Sequence, residues 1–170
     1  MKSKHIKGFS LAEMLVYIGI LAFLLVVILN ILSSLSKYQR VFKASSSVQN
    51  SGVLALERIT REVRNATSID VDQSIFNTSL GVLSLNSKDA DDNDKNIQFL
   101  ISTSTIIIKE NGEEIGPLTL SNASVTSLKF FFLNGSTTDA IKTEITIESG
   151  TSTSYKSSNF YTTTVLRNSI

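Results

Sequence analysis

The chain has 170 residues, with 16 Lys and Arg, 15 Asp and Glu, one His and no Cys, and a formal net charge of +1 at pH 7. This length suits one domain with an anchor rather than two sizeable domains. A near-neutral chain gives no indication of a nucleic-acid surface, which needs clustered basic residues. The lack of Cys excludes thiolate catalysis and disulfides, and the single histidine, His5, lies among the first eight residues. We therefore predict no enzymatic activity and no nucleic-acid partner.

A basic octapeptide precedes a long apolar segment. Three lysines come before Gly8, and the chain is then apolar from Phe9 to Leu32, with Glu13 and Asn30 as its clear polar interruptions. As a helix the segment would be about 36 Å long, enough to cross a hydrocarbon core of about 30 Å with some tilt. The lysines before the segment predict a cytoplasmic N-terminus and a single-pass membrane protein.

The order of these features differs from that of a secretory signal peptide, in which cleavage follows a hydrophobic core of about 7–15 residues. A cut after Gly8 would leave the apolar segment in the mature chain. Glu13 would then lie within the membrane, where a charge costs about 2.5–3.5 kcal/mol on insertion scales and usually marks function. The alternative interpretation is that its carboxylate merely reaches the cytoplasmic interface.

Gly8, Phe9 and Glu13 resemble the processing site of type IV pilins and pseudopilins. The resemblance implies cleavage between Gly8 and Phe9 by a prepilin peptidase, N-methylation of Phe9, and a salt bridge between Glu13 and the N-terminal amine of a neighbouring subunit. It further implies filament assembly with other pilin or pseudopilin subunits at an inner-membrane assembly platform. Major pilins commonly have a kinking proline where this chain has Asn30, so a pronounced kink is not expected.

The helix is predicted to continue beyond the apolar segment, because no proline interrupts residues 9–68 and a 3-4 spacing persists. The resulting helix would have about 60 residues. The predicted stripe consists of Leu35, Tyr38, Phe42, Ser45, Gln49, Gly52, Leu56, Ile59, Val63 and Ala66. Two i,i+4 pairs, Glu57–Arg61 and Arg58–Glu62, are predicted to be solvated on the other faces.

The C-terminal half is predicted to be a sheet. Segments rich in β-branched residues are separated by turn residues, at Val82–Leu85, Ile97–Ile101, Thr105–Lys109, Ile115–Leu120, Ser127–Leu133, Ile141–Ile147 and Phe160–Leu166. Asn111-Gly112 predicts a tight hairpin turn. Since no helical pattern separates the strands, the fold class is α+β, with a long N-terminal helix packed on a mostly antiparallel sheet. The pilin resemblance implies the same lollipop arrangement.

Four segments are expected: a cleaved leader (1–8), the transmembrane half of the helix (9–32), its amphipathic continuation (33–68) and an extracytoplasmic, periplasmic β domain (69–170). Residues 56–66 and 160–168 resemble the larger minor pilins and the J-type minor pseudopilins of type II secretion. This resemblance implies a minor subunit of a pseudopilus or type IV pilus, or of its tip. Secretion, pilus assembly and DNA-uptake competence are not separated by these residues.

A concentrated acidic segment follows the first predicted strand. Asp89, Asp91 and Asn93 match the first three alternating positions of a calcium loop, and are candidate calcium ligands. Asp94 then takes the glycine position and Leu100 the bidentate position, which do not fit. The alternative is a solvated acidic loop between two strands.

Two other functions remain open. One is a signal-anchored extracytoplasmic binding protein that keeps its first eight residues and never assembles. The other is a secreted β domain released after Ser34 or Ser36, although the apolar segment is long for a signal peptide. The N-terminus of the mature chain distinguishes all three.

Overall fold

The computed structural model describes residues 10–135 and 138–167. These residues form helix α1 (Leu11–Asn65), eight strands and a short 3-10 turn (Ser152–Ser154). The strands are β1 (Ser68–Ile69), β2 (Leu83–Lys88), β3 (Asp94–Ser102), β4 (Thr105–Glu110), β5 (Glu113–Pro117), β6 (Ser124–Leu133), β7 (Ala140–Ser149) and β8 (Lys156–Val165). The chain divides into two compact units between Gln39 and Arg40, and α1 contributes to both. The predicted long helix is therefore confirmed.

The first unit contains the apolar part of α1. Every described residue from Ser10 to Arg40 is exposed, although an 18-residue window of this helix has a mean hydropathy of 2.9. A helix that is apolar all round needs apolar surroundings on every side. Within the described part of the chain, α1 is the one helix long and apolar enough to cross a membrane. These properties fit a membrane-anchored protein.

In the second unit one face of α1 packs against antiparallel sheets, as predicted for the α+β fold. The buried residues of this face are Ala44, Ser47, Val48, Ser51, Gly52, Ala55, Ile59, Glu62 and Val63. Gly52, Ile59 and Val63 of the predicted stripe are buried, as predicted. Gln49 is exposed, however, and Phe42 is 75% exposed. The buried face instead includes small residues that were not part of the predicted stripe, such as Ala44, Ser51 and Ala55. Their size lets the helix backbone approach the sheets closely.

The two charged pairs of α1 differ in their surroundings. Arg61 and Glu57 are 3.0 Å apart on the exposed side, as predicted. The Arg58 Nε atom lies 3.0 Å from Oε1 of Glu62, whose side chain is only 10% exposed. The prediction that this second pair is solvated is wrong, since Glu62 belongs to the sheet-facing side. Removing Arg58 would leave the Glu62 carboxylate buried and unpaired.

The strands form two antiparallel sheets, with the orders β1-β2-β3-β4-β5 and β6-β7-β8. Every predicted strand is confirmed, although the ends differ and the two-residue β1 was not predicted. An isolated parallel bridge links Leu80, in the segment before β2, to Leu128 of β6, and the Val125 N–H donates to the Ser104 carbonyl in the turn between β3 and β4. Asn111 and Gly112 have φ values of 51° and 87°, the left-handed pair that an Asn-Gly hairpin turn requires.

The core lies between α1 and the two sheets. The side chains with almost no exposure come from the helix and from both sheets, and include Ile59, Phe99, Phe130, Ile145 and Leu166. Strand β7 alternates strictly between buried and half-buried residues. Such two-residue periodicity places one face of the strand on the core.

Helix α1 approaches β8 closely at Gly52. A Cβ atom added there would lie 2.5 Å from the Phe160 ring. We expect Gly52→Val to lower the free energy of unfolding by about 1–3 kcal/mol, because it overpacks this contact. Urea unfolding of the full chain in detergent micelles, followed by circular dichroism, measures the change.

Phe160→Ala provides the control for this contact. When Gly52→Val and Phe160→Ala are combined, the methyl groups of the introduced valine would occupy the space of the missing ring, so the two effects are expected to be strongly non-additive. Additive effects would contradict the proposed contact between Gly52 and Phe160.

Candidate functional site

Glu13 lies in the first turn of α1. The Met14 N–H donates to the Ser10 carbonyl at 3.1 Å, which makes this the start of the helical hydrogen bonding in the described chain. The free N–H groups of a first turn and the helix dipole both favour a carboxylate there. The helix itself therefore offsets part of the free-energy cost of placing the charge of Glu13 in a membrane.

The surroundings of Glu13 are apolar and open. Leu11 is 81% exposed and Met14 is 54% exposed, and Glu13 itself is exposed. Among residues 10–135 and 138–167, no Lys or Arg side chain forms an ion pair with Glu13. In a bilayer this carboxylate would lack a cation from the described part of its own chain. A cationic group from elsewhere would stabilise it.

Gly8 and Phe9, the predicted processing site, lie outside the described residues. Their roles in cleavage and methylation stay predictions. Beyond them α1 continues through Gly19 and Asn30 without interruption, and no other atoms lie within 4 Å of a Cβ added at Gly19. The face around Gly19 is thus open to contact with another helix.

The predicted calcium candidates lie in the turn between β2 and β3. The backbone N–H groups of Asp91 and Asn93 donate to Oδ1 of Asp89, at 2.8 and 2.9 Å, and the Asn93 side-chain amide donates to Oδ2 at 3.2 Å. Asp92 has a φ of 64° and forms a 2.9 Å ion pair with Lys88. Both oxygens of Asp89 therefore hold the turn itself together.

These hydrogen bonds also favour the ionised form of the Asp89 carboxyl. Donation from the Asn93 backbone N–H, then from its side chain, lowers the pKa of this carboxyl below its ordinary value of 3.8. No group of three or more Asp, Glu, His or Cys side chains among the described residues could hold a metal ion. The described hydrogen bonds are those of a solvated hairpin turn that Asp89 stabilises. Calcium binding by this loop stays a prediction.

The turn should respond to pH through Asp89. Because the pKa of Asp89 is lowered in the folded state, the ionised carboxylate stabilises the turn fully above the unfolded-state pKa. This stabilisation is lost as the pH falls through the folded-state pKa. We expect Asp89→Ala to be less stable than the wild type at pH 7, with the difference narrowing below about pH 4. Thermal unfolding at several pH values measures this.

Asp91→Ala is the matched control, since Asp91 contributes its backbone N–H rather than its carboxylate. Its effect should be small at every pH. Calcium added at millimolar concentration should leave the wild-type melting temperature unchanged. A rise that Asp89→Ala abolishes would show instead that the loop binds the ion.

Sequence reasoning missed a basic groove between α1 and β8. Its lining is Val53, Leu56, Glu57, Thr60, Arg61, Arg64, Asn65, Tyr161, Thr162 and Arg167. The two arginines of α1 are three residues apart and share one face. Arg167 is brought beside them only by the fold, so sequence spacing gave no signal for the groove.

The family model of the prokaryotic N-terminal methylation motif matches residues 3–29. No curated protein and no solved structure matches the chain. The matched residues include Gly8, Phe9 and Glu13. The match supports a pilin- or pseudopilin-type subunit, which is a structural component rather than an enzyme. Such a motif implies contact with other pilin subunits, with prepilin peptidase and with the membrane.

Proposed function

We propose that this chain is a minor pilin or pseudopilin subunit that assembles through α1 into a type IV pilus-like or type II secretion filament, or into its tip. The observation that carries the proposal is the position of Glu13. It is an acidic residue in the first turn of an exposed, apolar helix, within the residues that match the methylation motif.

The proposed assembly step begins with cleavage between Gly8 and Phe9. Cleavage creates an amine at Phe9, which is then methylated and remains cationic. Two unit charges about 4 Å apart attract by about 4 kcal/mol at an effective dielectric constant of about 20. This is comparable with the cost of about 2.5–3.5 kcal/mol for placing a charge in the membrane. Pairing Glu13 with the amine of a neighbouring subunit would therefore stabilise lateral packing and fix its axial register.

The domain boundaries are part of the same proposal. Residues 1–8 are the cleaved leader, 9–32 span the cytoplasmic membrane, 33–68 continue the helix, and 69–170 form the periplasmic or extracytoplasmic β domain. The N-terminus faces the cytoplasm, as the lysines of the leader favour. After cleavage and assembly the β domain is carried on the filament.

The assignment to the J-type or another large minor subunit rests on two segments, the end of α1 and the closing strand. They pack together in the fold, since the Thr164 hydroxyl donates to the Thr60 hydroxyl at 3.3 Å. Phe160 of β8 also approaches Gly52 of α1. The two segments on which the resemblance rests are therefore in contact with each other in the fold.

The first test is the N-terminus of the mature chain. We expect intact-mass measurement of the protein purified from its membrane to give a chain that starts at Phe9 and carries one added methyl group. Gly8→Ala should leave the full-length precursor. A chain starting at Met1 would indicate the anchored binding protein, and one starting near Leu35 would indicate the secreted domain.

The second test concerns the carboxylate. Glu13→Leu and Glu13→Gln should insert and be cleaved normally, but their incorporation into filaments should fall about tenfold or more, because the neighbouring amine loses its partner. Quantitative immunoblotting of sheared filaments measures incorporation. Asn30→Leu, another polar-to-apolar change in the same helix, is the control and should assemble normally. Normal assembly of both Glu13 variants would refute the salt bridge.

A further inference from the structure

Among the residues that the structure describes, strand β8 is a long sheet edge with one neighbouring strand. It has ten residues and pairs only with β7 in the described structure. An unpaired edge presents backbone donors and acceptors that readily pair with another chain. Tyr161 is 73% exposed and Val165 is 52% exposed along this strand. One face of the strand is therefore exposed, and the strand is rich in residues that favour strands.

The other edges of the two sheets are short, irregular or covered. β1 has two residues, and β5 has five residues, ends at Pro117 and pairs with β4 through a register shift. β6 is covered on its outer side, where Gly81 donates to the Leu128 carbonyl and Val125 donates to the Ser104 carbonyl. These are ordinary means of protecting an edge. Among the described strands, β8 lacks all of them.

The backbone groups on the free side of β8 can be assigned from the ladder. The Leu166 N–H donates to the Asp139 carbonyl at 3.0 Å, and the β7–β8 register is continuous. In an antiparallel pair, alternate residues direct both backbone groups to the same side. Thr162 and Thr164 therefore bond to β7, while Tyr161, Thr163 and Val165 direct their N–H and C=O groups outward.

The groove beside this edge, which we call the β8 groove, is the basic groove described above. It contains three arginines and one glutamate, Glu57, which is already paired with Arg61. Arg64 and Arg167 form no ion pair with any residue that the structure describes. Val53 is 55% exposed on the same surface. The β8 groove thus combines an apolar wall with uncompensated positive charge.

We propose that the β8 groove binds an extended, acidic segment of another polypeptide, which adds to β8 as a fourth strand of its sheet. Outward backbone groups would supply the hydrogen bonds, and Arg64 and Arg167 would select acidic side chains. From Val53 to Asn65 the helix side of the groove extends for about 18 Å, the length of about five or six extended residues.

The charges disfavour a second copy of this chain as the occupant. Antiparallel pairing of two β8 strands would bring Lys156 of one copy toward Arg167 of the other, and like charges repel. The acidic residues 89–94 are also unsuitable, because they form a closed hairpin turn. If the chain functions in a filament, which rests on the proposed function, a different neighbouring subunit is the natural source of the segment.

The probe is a fluorescent hexapeptide of alternating valine and aspartate, titrated into the full-length chain in detergent micelles and followed by anisotropy. Thr163→Pro removes one outward N–H without touching the β7 ladder, and should weaken binding about tenfold. Thr163→Val keeps the N–H and should bind like the wild type. The test does not depend on cleavage at Gly8, so the two proposals can fail separately.

The charge requirement has its own matched pair of variants. Arg64→Gln with Arg167→Gln should weaken binding about fivefold, as expected for two exposed ion pairs. Lys109→Gln with Lys129→Gln removes the same charge elsewhere and should have no effect. A peptide with lysine in place of aspartate should not bind.

Several results would overturn the proposal. Equal binding by Thr163→Pro and Thr163→Val would exclude strand addition, and equal binding of the lysine peptide would exclude charge selection. Self-association of the wild type that Thr163→Pro abolishes would identify a second copy as the occupant. Displacement of the peptide by a single-stranded oligonucleotide at equal concentration would point to nucleic acid instead.

Discussion

The close packing of α1 on the sheets is the constraint on which the second unit depends. The helix can approach β8 because Gly52 leaves room for the Phe160 ring, and because Ala44, Ser51 and Ala55 are small on the same face. Protein interiors are packed so tightly that a single added methyl group changes the stability of the fold. The size of these residues therefore determines how α1 lies against the core.

Two serines of α1 explain why the middle of the buried face is polar. The Ser51 hydroxyl accepts a hydrogen bond from the Leu120 N–H at 3.1 Å, and the Ser47 hydroxyl donates to the Asn122 side chain at 2.5 Å. Ser149, at the end of β7, donates to the Asn122 carbonyl at 2.5 Å. Buried backbone groups need such partners. Hydrogen bonds of these serines thus connect the loop before β6, at Leu120 and Asn122, to the helix and to the second sheet.

Local patterns in the sequence were sufficient for some features and not for others. The alternation around Ile145 and the Asn111-Gly112 turn predict structure correctly because neighbouring residues determine them. Glu13 could be proposed as a candidate site residue from its position in a linear motif, and its role stays a prediction. The division into two sheets could not be predicted, and neither could the placement of Arg64 and Arg167 in one groove. Both depend on long-range packing, which the spacing of residues along the chain does not reveal.

The two units present two different kinds of surface to other molecules. The apolar part of α1 is exposed on all sides, so its contacts in a membrane would be broad and would discriminate weakly between similar helices. The β8 groove combines directed backbone groups with fixed charges, which discriminate between partners by geometry and by sign. If the chain is a filament subunit, as proposed, neighbours with similar apolar helices would be distinguished through such a second surface. In this chain the helix would supply general affinity for a filament, and the edge of β8 would supply the choice of neighbour.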